Sequence, residues 1–224
     1  MKNNYNYILN GIPHEINLNS SIKILTEPLD EKKILSNKFM IKIINDLLIY
    51  LNIDFCLINN TLLGQKIFSG VNIFEEDIEI LIEKNNIKKI LKEIDFLNNN
   101  DITITNYNKY LLLNTNFYNN IEVSTYIYLF EQENNNIHFE NNNNEIINLN
   151  FYDIFPIKST IFEEFEVSIP NKIDNVLLNC NIDLNFLYFK SEKILISKFL
   201  NNNQKIVFLF YYLLYLLKNN LIYF

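Results

Sequence analysis

Arginine, alanine and tryptophan are absent from this chain of 224 residues, and only three glycines, four prolines, two cysteines and two histidines occur. Lysine is therefore the only strong cation, and 19 lysines against 26 acidic residues leave a formal charge of -7. That balance excludes a non-specific nucleic-acid binder, which needs a basic face to neutralise phosphates. Cys56 and Cys180 are too few and too far apart for a disulfide framework or a zinc site, and buried free thiols are the expectation. His14 and His138 stand alone, with no serine, cysteine or ligand spacing around them, so no hydrolytic triad can be built and both read as exposed loop residues. The first residues lack the continuous apolar stretch of a secretory signal, which places the chain in a reducing cytoplasm.

What is abundant is Asn, Ile, Lys, Tyr and Phe, the residues with AT-rich codons, and this skew reads as nucleotide bias. Under such bias, a glycine or proline that persists marks a position where its backbone chemistry is hard to replace. The hydrophobic share of 49% suffices for the core of one domain. Expected divisions are an N-terminal extension over 1–31, a domain over 32–200, and a hydrophobic C-terminal helix over 201–224. In that last segment the apolar run Ile206–Leu217 is shorter than the roughly 20 residues a membrane-crossing helix needs. A buried terminal helix is the expectation, and the aromatic content with Lys205 and Lys218 leaves a peripheral membrane contact as the alternative.

Between Glu31 and Asn52, Ile34, Phe39, Ile43, Ile44, Leu47, Leu48 and Leu51 recur at spacings of three and four, which predicts a long helix with one apolar stripe. "IDFCLI", Ile53–Ile58, reads as a buried strand, followed by a turn at Asn59 and Asn60 and a short helix from Thr61, capped by Asn60 or Thr61. "EDIEILI", Glu76–Ile82, reads as a second strand, with a lysine-rich helix from about Asn85 to Leu97. Further strands are expected at Ile102–Thr105, Tyr110–Leu113 and Ile121–Leu129. The Asn-rich tract near 132–144 reads as a solvated loop without chemistry. "STIFEEFEVSIP" alternates as a hairpin closing near Pro170. The class is α/β (α+β): a mixed sheet flanked by helices, with a C-terminal hairpin and a hydrophobic terminal helix.

Along "FEEDIEI" the period of two sends Glu75, Asp77 and Glu79 to one face and Ile78 and Ile80 into the core. Same-face carboxylates two residues apart sit roughly 7 Å from one another, close enough to share hard cations that bridge phosphate oxygens. In an acidic protein such a face is also an ordinary solvated surface, and the context decides. Upstream a strand leads through a turn into a helix start, whose free amides form a phosphate cradle. Gly64 and Gly70, two of the three glycines, lie between that turn and the acidic strand.

The run "LNIDFCLINNTLLGQKIFSGVNIFEEDIEI", Leu51–Ile80, resembles the signature of the LicD and fukutin-related family of nucleotidyltransferase-fold proteins. There a strand enters a Gly-Gly-Thr-Leu-Leu-Gly turn, followed by Ile-Pro-Trp and an Asp-x-Asp-x-Asp strand. Thr61, Leu62, Leu63 and Gly64 match the turn; Glu75, Asp77 and Glu79 fall on the three acidic positions. "DIFPIKSTIFEEFEVSIPN", Asp153–Asn171, resembles the family's Phe-Pro-Leu segment and Phe-Glu-Gly hairpin, through Pro156 and Pro170. The departures are specific. Asn59 and Asn60 replace the paired glycines, the family's Arg falls on Ile67 with Lys66 beside it, and Pro-Trp is Ile73-Phe74.

The resemblance implies a nucleotidyltransferase-like fold and a metal-dependent transferase. It would move a phosphorylated alcohol, of phosphocholine or pentitol phosphate type, from a CDP-linked donor to a glycan or similar hydroxyl acceptor. Mg²⁺ or Mn²⁺ would sit on Asp77, Glu79 and Glu122, the last from the place where the family has Ile-Asp-Ile, with Asp153 as runner-up. Glu75 or Glu122 would complete the metal shell or accept the acceptor's proton. Asn59, Asn60, Thr61, Gly64 and Lys66 would hold the donor phosphates, while from composition alone Lys66 and Lys158 read as solvated surface lysines ahead of phosphate contacts. The alternatives are a catalytically silent member that keeps the fold as a binding module, and a transferase of nucleotidyl groups to protein or RNA.

Overall fold

The computed structural model describes residues 31–72, 77–118 and 121–182, and the backbone of residues 4–9, 12–17, 186–189 and 194–197. Expectations for Glu75 and for the C-terminal segment 201–224 lie outside the described residues. The first strands, β1 (Asn4–Leu9) and β2 (Ile12–Asn17), form an antiparallel hairpin inside the stretch read as a patternless extension. Its Asn- and Pro-containing sequence hides the period of two.

Helix α1 (Glu31–Tyr50) is followed by β3 (Phe55–Leu57), α2 (Asn59–Phe68) and β4 (Ile78–Glu83). The expected lysine-rich helix is three pieces: a 3-10 turn at Lys84–Asn86, α3 (Ile87–Leu91) and α4 (Ile94–Asn99). Tight bonds from the Lys92 amide to the Lys89 carbonyl and from Glu93 to Ile90 close a turn between α3 and α4, and Ile90 and Leu97 go into the core on either side of it.

The strands β5 (Ile102–Asn106), β6 (Tyr110–Tyr118), β7 (Ile121–Glu133), β8 (Asn136–Glu140) and β9 (Ile146–Asn150) complete a seven-stranded mixed sheet. Its order is β3-β4-β7-β6-β5, with β8 and β9 continuing from the far half of β7. Only β4 and β7 run parallel; the other pairs are antiparallel. The Asn-rich tract is therefore not a plain loop. Ile137 and Phe139 are buried, and this alternation carries β8 through a tract whose asparagines mask it.

Beyond the sheet come α5 (Phe151–Ile154), the hairpin β10 (Lys158–Phe162) and β11 (Phe165–Ile169), α6 (Ile173–Asn179), and a pair of strands β12 (Phe186–Phe189) and β13 (Ile194–Ser197). The architecture is α+β, as expected from sequence. Among the described residues no helix is long and apolar enough to cross a membrane.

Helix α1 packs along β7 and β6, and it departs from the single stripe read in its sequence. Ser36, Asn37 and Lys38 are buried as completely as Ile34 and Phe39. The β10–β11 hairpin supplies partners there. Lys38 Nζ lies 2.9 Å from Glu163 Oε2 and 3.5 Å from Glu164 Oε1, with Lys38 and Glu163 each 1% exposed, and Lys42 sits over the Phe165 ring. Charged residues on a helix read as solvent-facing, and only the partner hairpin, more than a hundred residues later, reverses that. Breaking one side of such a buried pair costs about 3–5 kcal/mol, whereas an apolar replacement of both is often neutral. The pair therefore fixes where the hairpin docks more than it adds stability. The same turn holds the α2–β4 connection, since the Glu163 amide donates to the Ser69 carbonyl at 2.6 Å. A Cβ on Gly70 would lie 2.7 Å from Glu163 Cγ.

Candidate functional site

The site forms where β3 enters α2 and β4 begins. Parallel pairing with β7 sets Ile78 beside Thr125 and Glu79 beside Tyr126. Ile78 and Ile80 are buried, Glu79 is half-buried and Asp77 is exposed, which is the alternation expected of the acidic strand. The Glu79 amide donates to Thr61 Oγ1 at 2.9 Å, and the Glu79 carbonyl accepts from the Ile58 amide at 3.1 Å. The backbone of the acidic strand is thus bound directly to the start of α2.

The Glu79 carboxylate turns toward the same place. Oε1 accepts from Asn59 Nδ2 at 2.8 Å and from the Tyr128 hydroxyl at 3.1 Å, and Oε2 accepts from the Asn60 amide at 3.1 Å. An amide at a helix start is a natural donor to an anion, and here a side chain of the protein occupies it. The longer reach of Glu relative to Asp makes that contact possible. Helix α2 begins at Asn59, two residues before the expected Thr61, with Ile58 at its cap and no side-chain cap bond. Thr61 serves the strand and not the helix.

Asn59 has φ 49°, the left-handed region in which asparagine is among the few side-chain-bearing residues tolerated. The backbone need for a positive φ is thus met by a residue that also adds an amide group. Asn59 is 7% exposed. With Nδ2 committed to Glu79, its Oδ1 is buried and has no hydrogen-bond partner.

Other candidates are placed elsewhere. Glu122 is exposed on β7, and Tyr126, not Glu122, stands beside Glu79. Four residues of strand separate the two levels, about 13 Å, so Glu122 does not share an ion with Glu79. Asp153 is buried and tied to Lys172 Nζ at 2.9 Å and Asn175 Nδ2 at 3.2 Å, joining α5 to α6. Lys66 pairs with Asp174 of α6, and burial lowers its pKa. Lys158 donates to the Asn171 carbonyl. Gly64 lies in the interior of α2, where an added Cβ would be 2.5 Å from the Asn72 backbone nitrogen. Asn72 in turn donates from Nδ2 to the Asn60 carbonyl at 3.1 Å. Among the described residues no three of His, Cys, Asp and Glu come together as a metal-holding group.

Three participants escaped the sequence reading. Tyr126 and Tyr128 share the Glu79 face of β7, their rings stacked 6.1 Å apart, with Tyr110 edge-on to both. Asn142, inside the tract read as carrying no chemistry, has its Oδ1 3.2 Å from the Tyr128 hydroxyl. The signal for the tyrosines was their alternation in "VSTYIYLF"; nothing in "ENNNNE" singles out Asn142. His138 is likewise on a strand, 3.8 Å from Glu131. Burial first, and then the Glu79 charge, push the Tyr128 hydroxyl well above the usual tyrosine range, and burial followed by the Asp77 and Glu79 charges raises Tyr126 less strongly.

Cys56 and Cys180 are buried free thiols, as expected. Burial pushes the Cys180 thiol up to about 12 and Cys56 higher still. A thiol whose proton is held more tightly in the folded state contributes stability below its unfolded pKa of about 8.5. That contribution declines as pH rises beyond it, because the unfolded chain then releases the proton first. The melting temperature should accordingly fall from about pH 8.5 upward, and Cys56→Ala should flatten the alkaline limb. An identical slope in the variant would show that the thiols do not set it.

The Asp77 and Glu79 carboxylates and the unsatisfied Asn59 Oδ1 are hard oxygens of the kind that Mg²⁺ or Mn²⁺ takes, since these ions bind through one or two carboxylates together with substrate phosphates. A separate cleft of about 560 Å³, lined by residues including Lys84, Lys109, Glu131 and His138, opens at the other end of β4, away from these carboxylates. Comparison with known proteins finds no family model that matches this chain and no curated protein similar to it.

Proposed function

We propose that this chain is a nucleotidyltransferase-like domain of LicD type that transfers a phosphorylated alcohol from a CDP-linked donor to a hydroxyl acceptor such as a glycan. The observation that carries this reading is the convergence of the Glu79 carboxylate with the Asn60 amide at the start of α2, beside exposed Asp77. An acidic strand end and a phosphate cradle are thereby brought together. The left-handed Asn59 where the family has glycine, and the β10–β11 hairpin where it has Phe-Glu-Gly, support the same assignment.

Asp77 and Glu79 would hold Mg²⁺ or Mn²⁺, which supplies neutralisation of charge on bridging phosphate oxygens when bound. Tyr128 and Asn59 orient the Glu79 carboxylate, and the first-turn amides of α2 other than that of Asn60 would face the donor phosphates. The acceptor's proton falls to a carboxylate within hydrogen-bond reach of its hydroxyl, for which Glu75 or Glu122 is the candidate.

A second reading has its own observation. The Asn60 amide is already used by Glu79, so the cradle is satisfied without a phosphate, as in a silent member kept as a binding module. Calorimetric titration with Mn²⁺ and CDP separates the two. The transferase reading expects metal-dependent nucleotide binding, with CDP affinity rising at least tenfold in Mn²⁺. Absence of binding with and without the metal would favour the silent module.

A further inference from the structure

We propose that Asn59 is the third oxygen ligand of the cation, its amide oxygen standing where the neighbouring strand lacks a carboxylate. The inference rests on the metal-dependent reading above and adds a ligand that the family pattern does not supply, since that pattern has glycine at this position.

Three observations on this chain converge. The parallel register leaves no acidic residue on β7 beside the site: Tyr126 stands level with Glu79, Ser124 two residues before it, and Glu122 beyond reach. A hard cation held by two carboxylates has a vacancy to fill, and neutral amide oxygens are ordinary ligands for Mg²⁺ and Mn²⁺. Asn59 meets that need from the other wall. Its side chain is locked by the Nδ2 bond to Glu79 Oε1, and this same bond identifies which end of the amide is oxygen, because a carboxylate repels an acceptor. The free Oδ1, on the same amide that holds Glu79, is then buried with no donor to satisfy it. A buried carbonyl oxygen without a partner is costly in the empty site, and a cation removes that cost.

The backbone makes the test clean. Because Asn59 has φ 49°, Asn59→Gly keeps the conformation without strain and removes both the amide oxygen and the Nδ2 bond to Glu79, while Asn59→Asp loses the same bond but keeps an oxygen, now charged, so the two variants separate ligation from the orienting of Glu79. Mn²⁺ titrations followed by electron paramagnetic resonance, with the metal alone on the full chain, should show binding by the native protein, a weakening of at least about tenfold in Asn59→Gly, and tighter binding in Asn59→Asp. Melting temperatures should show the complementary pattern. Asn59→Asp, with two carboxylates facing each other, melts lower than the native protein without Mn²⁺ and gains more from its addition. Native-like Mn²⁺ affinity in Asn59→Gly, with affinity lost in Asp77→Ala, would overturn the role of Asn59 and leave the metal reading intact. Failure of the native chain to bind Mn²⁺ would overturn both.

Discussion

Replacing Asp77 by alanine is expected to abolish Mn²⁺-dependent release of CMP from a CDP-linked donor, by a factor of at least ~10², the loss typical when a group that stabilises developing charge is removed. Asp77 is exposed and precedes the first paired residue of β4, so its removal leaves the core and the sheet register untouched. Substitutions at such positions usually shift stability by less than about 0.5 kcal/mol. Activity and folding are therefore separable at this residue, which is not true of Glu79. The Glu79 carboxylate holds Asn59, Asn60 and Tyr128 together, and its loss would loosen the start of α2 as well as the chemistry. Chromatographic assay of CMP, with melting curves on the same samples, checks the prediction. Release that survives undiminished in Asp77→Ala, at native melting temperature, would remove Asp77 from the reaction and the transferase assignment with it.

What could be read from sequence divides along a physical line. Elements whose period comes from apolar side chains were legible: α1, the acidic strand, β7 and the β10–β11 hairpin all lie where spacing places them. Elements carried by asparagine were not. β1 and β8 alternate apolar residues with Asn, His and Glu, and β2 breaks its alternation with Pro13, His14 and Glu15 in succession, which weakens the contrast that marks a strand. The burial of Lys38 was hidden for a different reason, because its partner Glu163 is 125 residues away and no local pattern encodes a long-range ion pair.

The site shows the same division. The facing of Asp77 and Glu79 follows from the period of two, and their nearness to the start of α2 follows from the strand–turn–helix order. The third carboxylate depended on the register between β4 and β7, and register is set by whole-strand packing and not by any single residue. A shift of four residues along β7 separates the expected Glu122 from the observed Tyr126. Asn142 depends on how the β8–β9 turn folds back toward Tyr128, which a run of asparagines cannot announce.

Gly64 gives a sharper test, because two physical effects predict opposite signs. On helix propensity alone, Gly64→Ala in the interior of α2 should stabilise the protein by roughly 0.5–1 kcal/mol. Packing predicts the reverse. An added Cβ would lie 2.5 Å from the Asn72 nitrogen and 2.8 Å from its Cα and Cβ, and a backbone neighbour cannot swing aside as a flexible side-chain end can. Overpacking of this kind costs about 1–3 kcal/mol, which outweighs the propensity gain over most of that range. For a chain of this size each kcal/mol moves the melting temperature by roughly 2–4 °C. Gly64→Ala should therefore melt a few degrees lower than the native protein, and Gly64→Val lower again. The displacement does not stay local. Asn72 holds the Asn60 carbonyl, and the Asn60 amide holds Glu79, so moving residue 72 pulls the start of α2 away from the acidic strand. Weaker Mn²⁺ binding should accompany the lower melting temperature in both variants. A rise in melting temperature for Gly64→Ala would mean that the loop yields freely, and that glycine is not required there by the close approach of α2 to Asn72.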